Sequence, residues 1–197
     1  MKTTLIDHPL FLQIRQEHDQ IRLLLKEFEA GGYRDLSLLT KIENFAELEH
    51  HAKEEHLLFT HLLNFEVVNS GGPLCMLYFD DYMLNHPIET CKKLVGVEPA
   101  PEPHLHEFFN RGSAMRIPIN DHLGGKTILR YLIQNFENFT EEKRKSFFTS
   151  YQKIQTFHME KEENCFFYVC ANFLTQSSAD EMYKKWITKG EFTLKQH

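Results

Sequence analysis

His50 and Glu54 stand four residues apart, and so do His158 and Glu162. In an α-helix that step returns to the same face about 6 Å further along the axis. Each pair therefore aims one imidazole and one carboxylate at a common point. The surrounding runs are alike: HHAKEEHLLF at 50–59 and HMEKEENCFF at 158–167 share H-x-x-K-E-E and a closing Phe. His51 and Glu55 have the same spacing as His50 and Glu54. Aligning the two K-E-E triplets selects His50 and Glu54 as the counterparts of His158 and Glu162. Two more histidines, His18 and His122, lie at matching places in EHDQIRLLLKEF (17–28) and DHLGGKTILRYL (121–132).

Four imidazoles and two carboxylates converging in a core are costly unless something positive binds them. The donor set His18, His50, Glu54, His122, His158 and Glu162 contains no thiolate, which suits iron, manganese or zinc and not copper(I) or an iron–sulfur cluster. Six donors are too many for one tetrahedral zinc. They suit two six-coordinate ions about 3.5–4 Å apart, each with two imidazoles and an oxygen of each bridging Glu. An oxo or hydroxo bridge completes that picture and leaves positions open for a small exogenous ligand. The four cysteines, Cys75, Cys91, Cys165 and Cys170, form no CxxC and read as reduced, buried, small hydrophobes.

These residues must be carried by helices. The row Leu10, Ile14, His18, Ile21, Leu25, Phe28 has helical spacing and ends at Gly31-Gly32. A second helix spans about 36–63, with Leu39, Ile42, Ala46, His50, Glu54, Leu57 and His61 on one row. A third opens near Pro118, with Asp121 placed for the positive helix N-terminus, and turns His122, Gly125, Leu129, Leu132 and Phe136 inward. A fourth follows the N-cap Thr140, with Phe147, Tyr151, Ile154, His158, Glu162, Cys165 and Val169 inward. The pattern predicts an all-α chain of two pseudo-equivalent helix pairs, a four-helix bundle. Residues 64–117 form an inserted helical and loop segment: a turn at Gly71-Gly72-Pro73, short helices over 73–84 and 87–95, then a Pro-rich loop. A short C-terminal helix opens with a Ser178–Glu181 capping box, carries Trp186 and stops at Gly190.

His18, the two H-x-x-x-E-E runs and His122 together resemble the hemerythrin-like, or HHE cation-binding, domain, over roughly residues 8–63 and 118–173. The resemblance implies one domain over 1–197: an antiparallel four-helix bundle with a non-haem di-iron centre. It also implies a small diatomic partner, oxygen or nitric oxide, or a peroxide. Members bind or sense oxygen, or help repair damaged iron centres. Oxygen carriers of the family have a fifth histidine from H-x-x-x-H on the third helix; this chain lacks that motif, and its four-His, two-Glu set is closer to the repair proteins. The expected function is therefore redox, stress or iron-centre repair chemistry, with reversible oxygen binding or sensing as the alternative. Whether the chain turns over as an enzyme stays open.

Other polar residues read as supporting or surface groups. Lys53 and Lys161 are expected in solvated ion pairs. Glu55 and Glu163 fall one position off the ligand face, and His51, His56 and His61 are read as surface or supporting groups. His104 and His106 sit in the Pro-rich loop. Gly124 and Gly125, unusual within a helix, leave room either for a ligand channel or for close helix packing. The net charge of −6 and the absence of any Lys/Arg-rich run argue against nucleic acid and an anionic membrane surface as partners. No apolar run approaches the ~18–20 residues that cross a bilayer, and the N-terminus is charged too early for a signal peptide, so the cytoplasm is the expected compartment.

Overall fold

The structure, a computed structural model, describes residues 5–63, 65, 86–106 and 115–188. Six helices lie among them, and no strand. We label these α1 (Pro9–Ala30), α2 (36–62), α3 (Pro87–Val95), α4 (Arg116–Gln134), α5 (141–173) and α6 (Gln176–Ile187). The expected turn at 71–73, the helix over 73–84 and the stop at Gly190 lie outside the described residues.

Local chemistry sets the boundaries. His8 Nδ1 accepts from Leu10 N at the start of α1, and Pro9 follows in the position where its missing N–H costs nothing. Gly32 adopts φ +68° just past the end of α1. Asp35 caps α2 and Thr140 caps α5 through their side chains, Thr140 as the sequence predicts. Two boundaries differ from expectation. The α4 helix begins at Arg116, so Asp121 lies beyond its first turn and does not serve the helix end. The capping box of α6 is Thr175 with Ser178, because the chain turns sharply after Leu174 and leaves Thr175 extended.

Both long helices that carry H-x-x-x-E widen at that motif. Turns of π-helix span Glu43–His50 and Glu54–Phe59 in α2, and Glu162–Phe166 in α5. Their bonds reach five residues back, as from Thr60 N to Glu55 O and from Phe167 N to Glu162 O. A π-turn carries more residues per turn, so side chains next to a ligand position swing inward with it.

Packing places the polar layer between two apolar clusters. One holds Leu10, Phe11, Ile14, Leu58, Phe59, Ile119, Cys165, Phe166 and Trp186. The other holds Ile21, Leu25, Ile42, Ala46, Ile128, Leu129, Phe148, Ile154 and Met159. Each long helix thus passes from one cluster through the polar layer into the other. The α4 helix packs on α3 and α5, and α1 packs on α2, α5 and α6. Gly124 and Gly125 serve this packing: a Cβ on Gly124 would stand 2.7 Å from Pro87 O, and one on Gly125 2.9 Å from Gln155 Nε2.

Candidate metal centre

All six predicted ligands are buried and meet in one layer. Glu54 stands at its middle. Its Oε1 lies 3.3 Å from His50 Nε2 and 3.9 Å from His18 Nε2. Its Oε2 lies 3.4 Å from His122 Nε2 and 3.8 Å from His158 Nε2. One carboxylate therefore divides four imidazoles into two pairs. Glu162 Oε2 spans the same pairs, 3.3 Å from His18 Nε2 and 3.6 Å from His158 Nε2. Donors bound side by side on one ion, each about 2.1 Å from it, stand about 3 Å apart, which is near this spacing. Two groups of donors close enough to share an ion follow: His18, His50 and Glu54; and His51, Glu54, His122 and His158.

The far nitrogens of three of these rings are held by carboxylates. His18 Nδ1 donates to Glu163 Oε1 at 2.7 Å, His50 Nδ1 to Glu17 Oε2 at 2.8 Å and His122 Nδ1 to Glu55 Oε1 at 2.8 Å. Asp121 Oδ2 faces His158 Nδ1 at 3.6 Å. An ionised carboxylate only accepts, so a bonded Nδ1 carries the proton and its Nε2 keeps a lone pair for the centre. The carboxylates are anchored in turn. Lys53 Nζ donates to Glu17 at 3.1 Å, and Lys161 Nζ forms an ion pair with Asp121 Oδ2 at 2.6 Å. Arg22 holds Glu163 at 2.9 Å, and Trp186 Nε1 donates to Glu17 at 2.8 Å.

This arrangement corrects several expectations. Lys53 and Lys161 are 5% and 1% exposed, not solvated: each pairs in the core with the acid of its own half, Glu17 and Asp121. Glu55 and Glu163, read as supporting or surface groups, do support the site: they accept from Nδ1 of His122 and His18. His51 is 1% exposed, its Nδ1 3.0 Å from Glu47 Oε2. His104 bonds Glu55 at 3.2 Å, and among the described residues no group of possible ligands includes it. His56 stacks on His104, His61 packs by Phe65, and His106 reaches Pro101 O. Cys91 and Cys170 are free and buried as expected, whereas Cys165 is disulfide-bonded.

Sequence reasoning missed Glu17, Asp121 and Glu47, although the repeat carried a signal for the first two. Each lone histidine follows an acid: Glu17-His18 and Asp121-His122. The acid faces the H-x-x-x-E histidine of its own half and pairs with the Lys of that half. The second Glu of each K-E-E serves the lone histidine of the other half. The repeat unit is thus acid-His followed by H-x-x-K-E-E, and every polar residue in it has a place.

The field at the centre calls for positive charge. Burial works against charged imidazoles, yet the glutamates outweigh it: Glu54 and Glu55 raise His122 to about 10, and His18, His50 and His158 are raised as well. Burial also opposes charge on Glu17, but His50 and Lys53 hold its carboxyl down at about 2. His51 goes the other way: burial and the nearby His122 lower it to about 4. Burial, with Glu54 beside it, raises Glu162. Around the layer stand seven carboxylates (Glu17, Glu47, Glu54, Glu55, Asp121, Glu162 and Glu163) and three permanent cations (Arg22, Lys53 and Lys161). Four negative charges remain when the imidazoles are neutral, the amount two divalent ions would cancel. Buried His and Glu groups that could hold a metal ion are therefore established by the geometry. No protein-family model, curated protein or solved structure matches the chain.

Proposed function

We propose that the chain forms an antiparallel four-helix bundle of the hemerythrin-like kind, with α1, α2, α4 and α5 around a non-haem di-iron centre. In this reading His18 and His50 hold one ion, His122 and His158 hold the other, and Glu54 and Glu162 are shared. The centre reacts with oxygen, nitric oxide or oxidants in redox, stress or iron-centre repair chemistry. One observation carries the reading: among the described residues, both oxygens of Glu54 and of Glu162, and the Nε2 atoms of His18 and His50, are buried with no hydrogen-bond partner. Leaving so many polar atoms bare costs roughly 1–3 kcal/mol each, a cost removed when cations occupy the space they face.

Bound iron would supply redox chemistry and open coordination positions for a small ligand. The protein's own contribution is orientation and exclusion. The carboxylates on Nδ1 of His18, His50 and His122 fix the tautomer and direction of those three rings. Phe167 stacks along His18 at 5.8 Å and Phe59 along His122 at 5.5 Å, which keeps water from the ring faces.

The test is an anaerobic titration with iron(II), metal counting, and a visible spectrum through one cycle of oxygen addition and removal. Two irons per chain and a charge-transfer band that persists after oxygen removal support the redox or repair reading. A band that vanishes on removal supports reversible binding or sensing. Fewer than two ions per chain would refute the assignment.

A further inference from the structure

The twofold pattern of the centre is broken in one place. Aligning His50 with His158 sets His51 against Met159, and Glu47 against Gln155. One half thus has an acid–imidazole pair where the other has an amide and a thioether. The extra pair is built with care. His51 Nδ1 lies 3.0 Å from Glu47 Oε2, and Glu47 Oε1 accepts from Tyr151 Oη at 2.7 Å and from Gln155 Nε2 at 3.0 Å. With four hydrogen-bonding groups locked together, the ring cannot turn. Nδ1 is committed as a donor, so Nε2 bears a lone pair. That Nε2 is buried and has no hydrogen-bond partner among the described residues.

His51 belongs to the group of donors around the His122 and His158 half. It does not fit there as a ligand. Its ring lies parallel to that of His122, with centroids 3.9 Å apart and planes at 9°. An imidazole lone pair lies in the plane of its own ring, so two parallel stacked rings cannot direct both lone pairs at one ion. His51 therefore stands beside the coordination sphere of that half, with an acceptor facing it. In the His18 and His50 half its counterpart in the repeat is Met159, which is apolar and lies in the core.

We propose that His51 receives the exogenous ligand: its Nε2 accepts a hydrogen bond from a small protonated ligand held beside His122 and His158, and so favours protic ligands, such as hydroperoxide, over aprotic ones. This rests on the two-metal reading above and adds to it which half takes the ligand. It also states what chemistry the site selects.

The experiment uses the full chain loaded with iron(III) and two probes read by their charge-transfer bands. Hydrogen peroxide binding as hydroperoxide keeps one proton; azide has none. His51→Phe preserves a flat ring against His122 and removes the lone pair, and His51→Leu repeats the test with a smaller side chain. The expected result is two irons per chain throughout, peroxide affinity weakened about tenfold in both variants, and azide affinity changed by less than about twofold. Equal losses for both probes, or no loss for either, would overturn the proposal. Loss of one iron in either variant would also overturn it, since His51 would then be a ligand. A wild-type chain that fails to hold two irons would bring down the two-metal reading itself, and metal counting separates that failure from the others.

Discussion

Glu17 does two things at once: it orients His50 and it neutralises Lys53 in the core, with Trp186 donating to the same carboxylate. The sequence contains one tryptophan, and its ring lies 6.1 Å from that of His50. Iron loading is therefore expected to quench the intrinsic fluorescence strongly; emission unchanged at two irons per chain would contradict this placement. Glu17→Gln should weaken retention of the His18/His50 ion by about 10–100-fold, read by competition with a chelator. In the metal-free protein the Glu17 carboxyl, held at about 2, stabilises the fold fully above its ordinary value of 4.5, and the contribution is lost as pH falls towards 2. The loss is about 3 kcal/mol. Urea midpoints at pH 6 and pH 3 should differ less in Glu17→Gln than in the wild type. At the proposed ligands, His158→Ala or Glu162→Ala should cost at least one metal per chain, and elemental analysis showing two would refute their role.

At the scale of elements, the π-turns decide which faces of α2 and α5 reach the core. A regular helix places three consecutive residues about 100° apart, so Lys53, Glu54 and Glu55 could not all turn inward. Widening at Glu54–Phe59 and at Glu162–Phe166 admits the neighbours of each shared carboxylate. The close approach of α3 to α4 depends on Gly124, whose added Cβ would meet the backbone of Pro87 at 2.7 Å. Gly124→Ala should therefore destabilise by roughly 1–3 kcal/mol even though alanine is the better helix former by about 1 kcal/mol. Thermal denaturation showing a raised Tm would contradict that contact. Gly125→Ala meets only the end of the Gln155 side chain, and a smaller loss is expected there, with its effect passed to Glu47.

At the scale of the whole molecule, the chain buries a charged layer between two apolar clusters. Neither cluster can compensate for bare carboxylates, so stability should depend on what fills the layer. A ligand at one hundred times its Kd adds about 2.7 kcal/mol per site. Chelation should lower Tm by several degrees, and iron(II) should restore it; a Tm insensitive to both would mean that the layer is satisfied without metal. Among the described residues, no helix is long and apolar enough to cross a membrane.

The sequence by itself pointed to the helices and to six His and Glu residues that the structure buries in one layer. Periodicity and capping are local: each depends on residues within one or two turns, as with Thr140 and α5 or the matching H-x-x-K-E-E runs. It did not reveal that Lys53 and Lys161 are buried, because an α-helical wheel places them off the ligand face and their buried partners, Glu17 and Asp121, stand on other helices. Nor did it place Glu17 against His50, Glu163 against His18, or His51 against His122. Those contacts join residues far apart in the chain, and their distances exist only once α1, α2, α4 and α5 have packed. The glycines show the same division: the spacing allowed a channel or a close approach, and only the position of Pro87 against Gly124 decided for the approach.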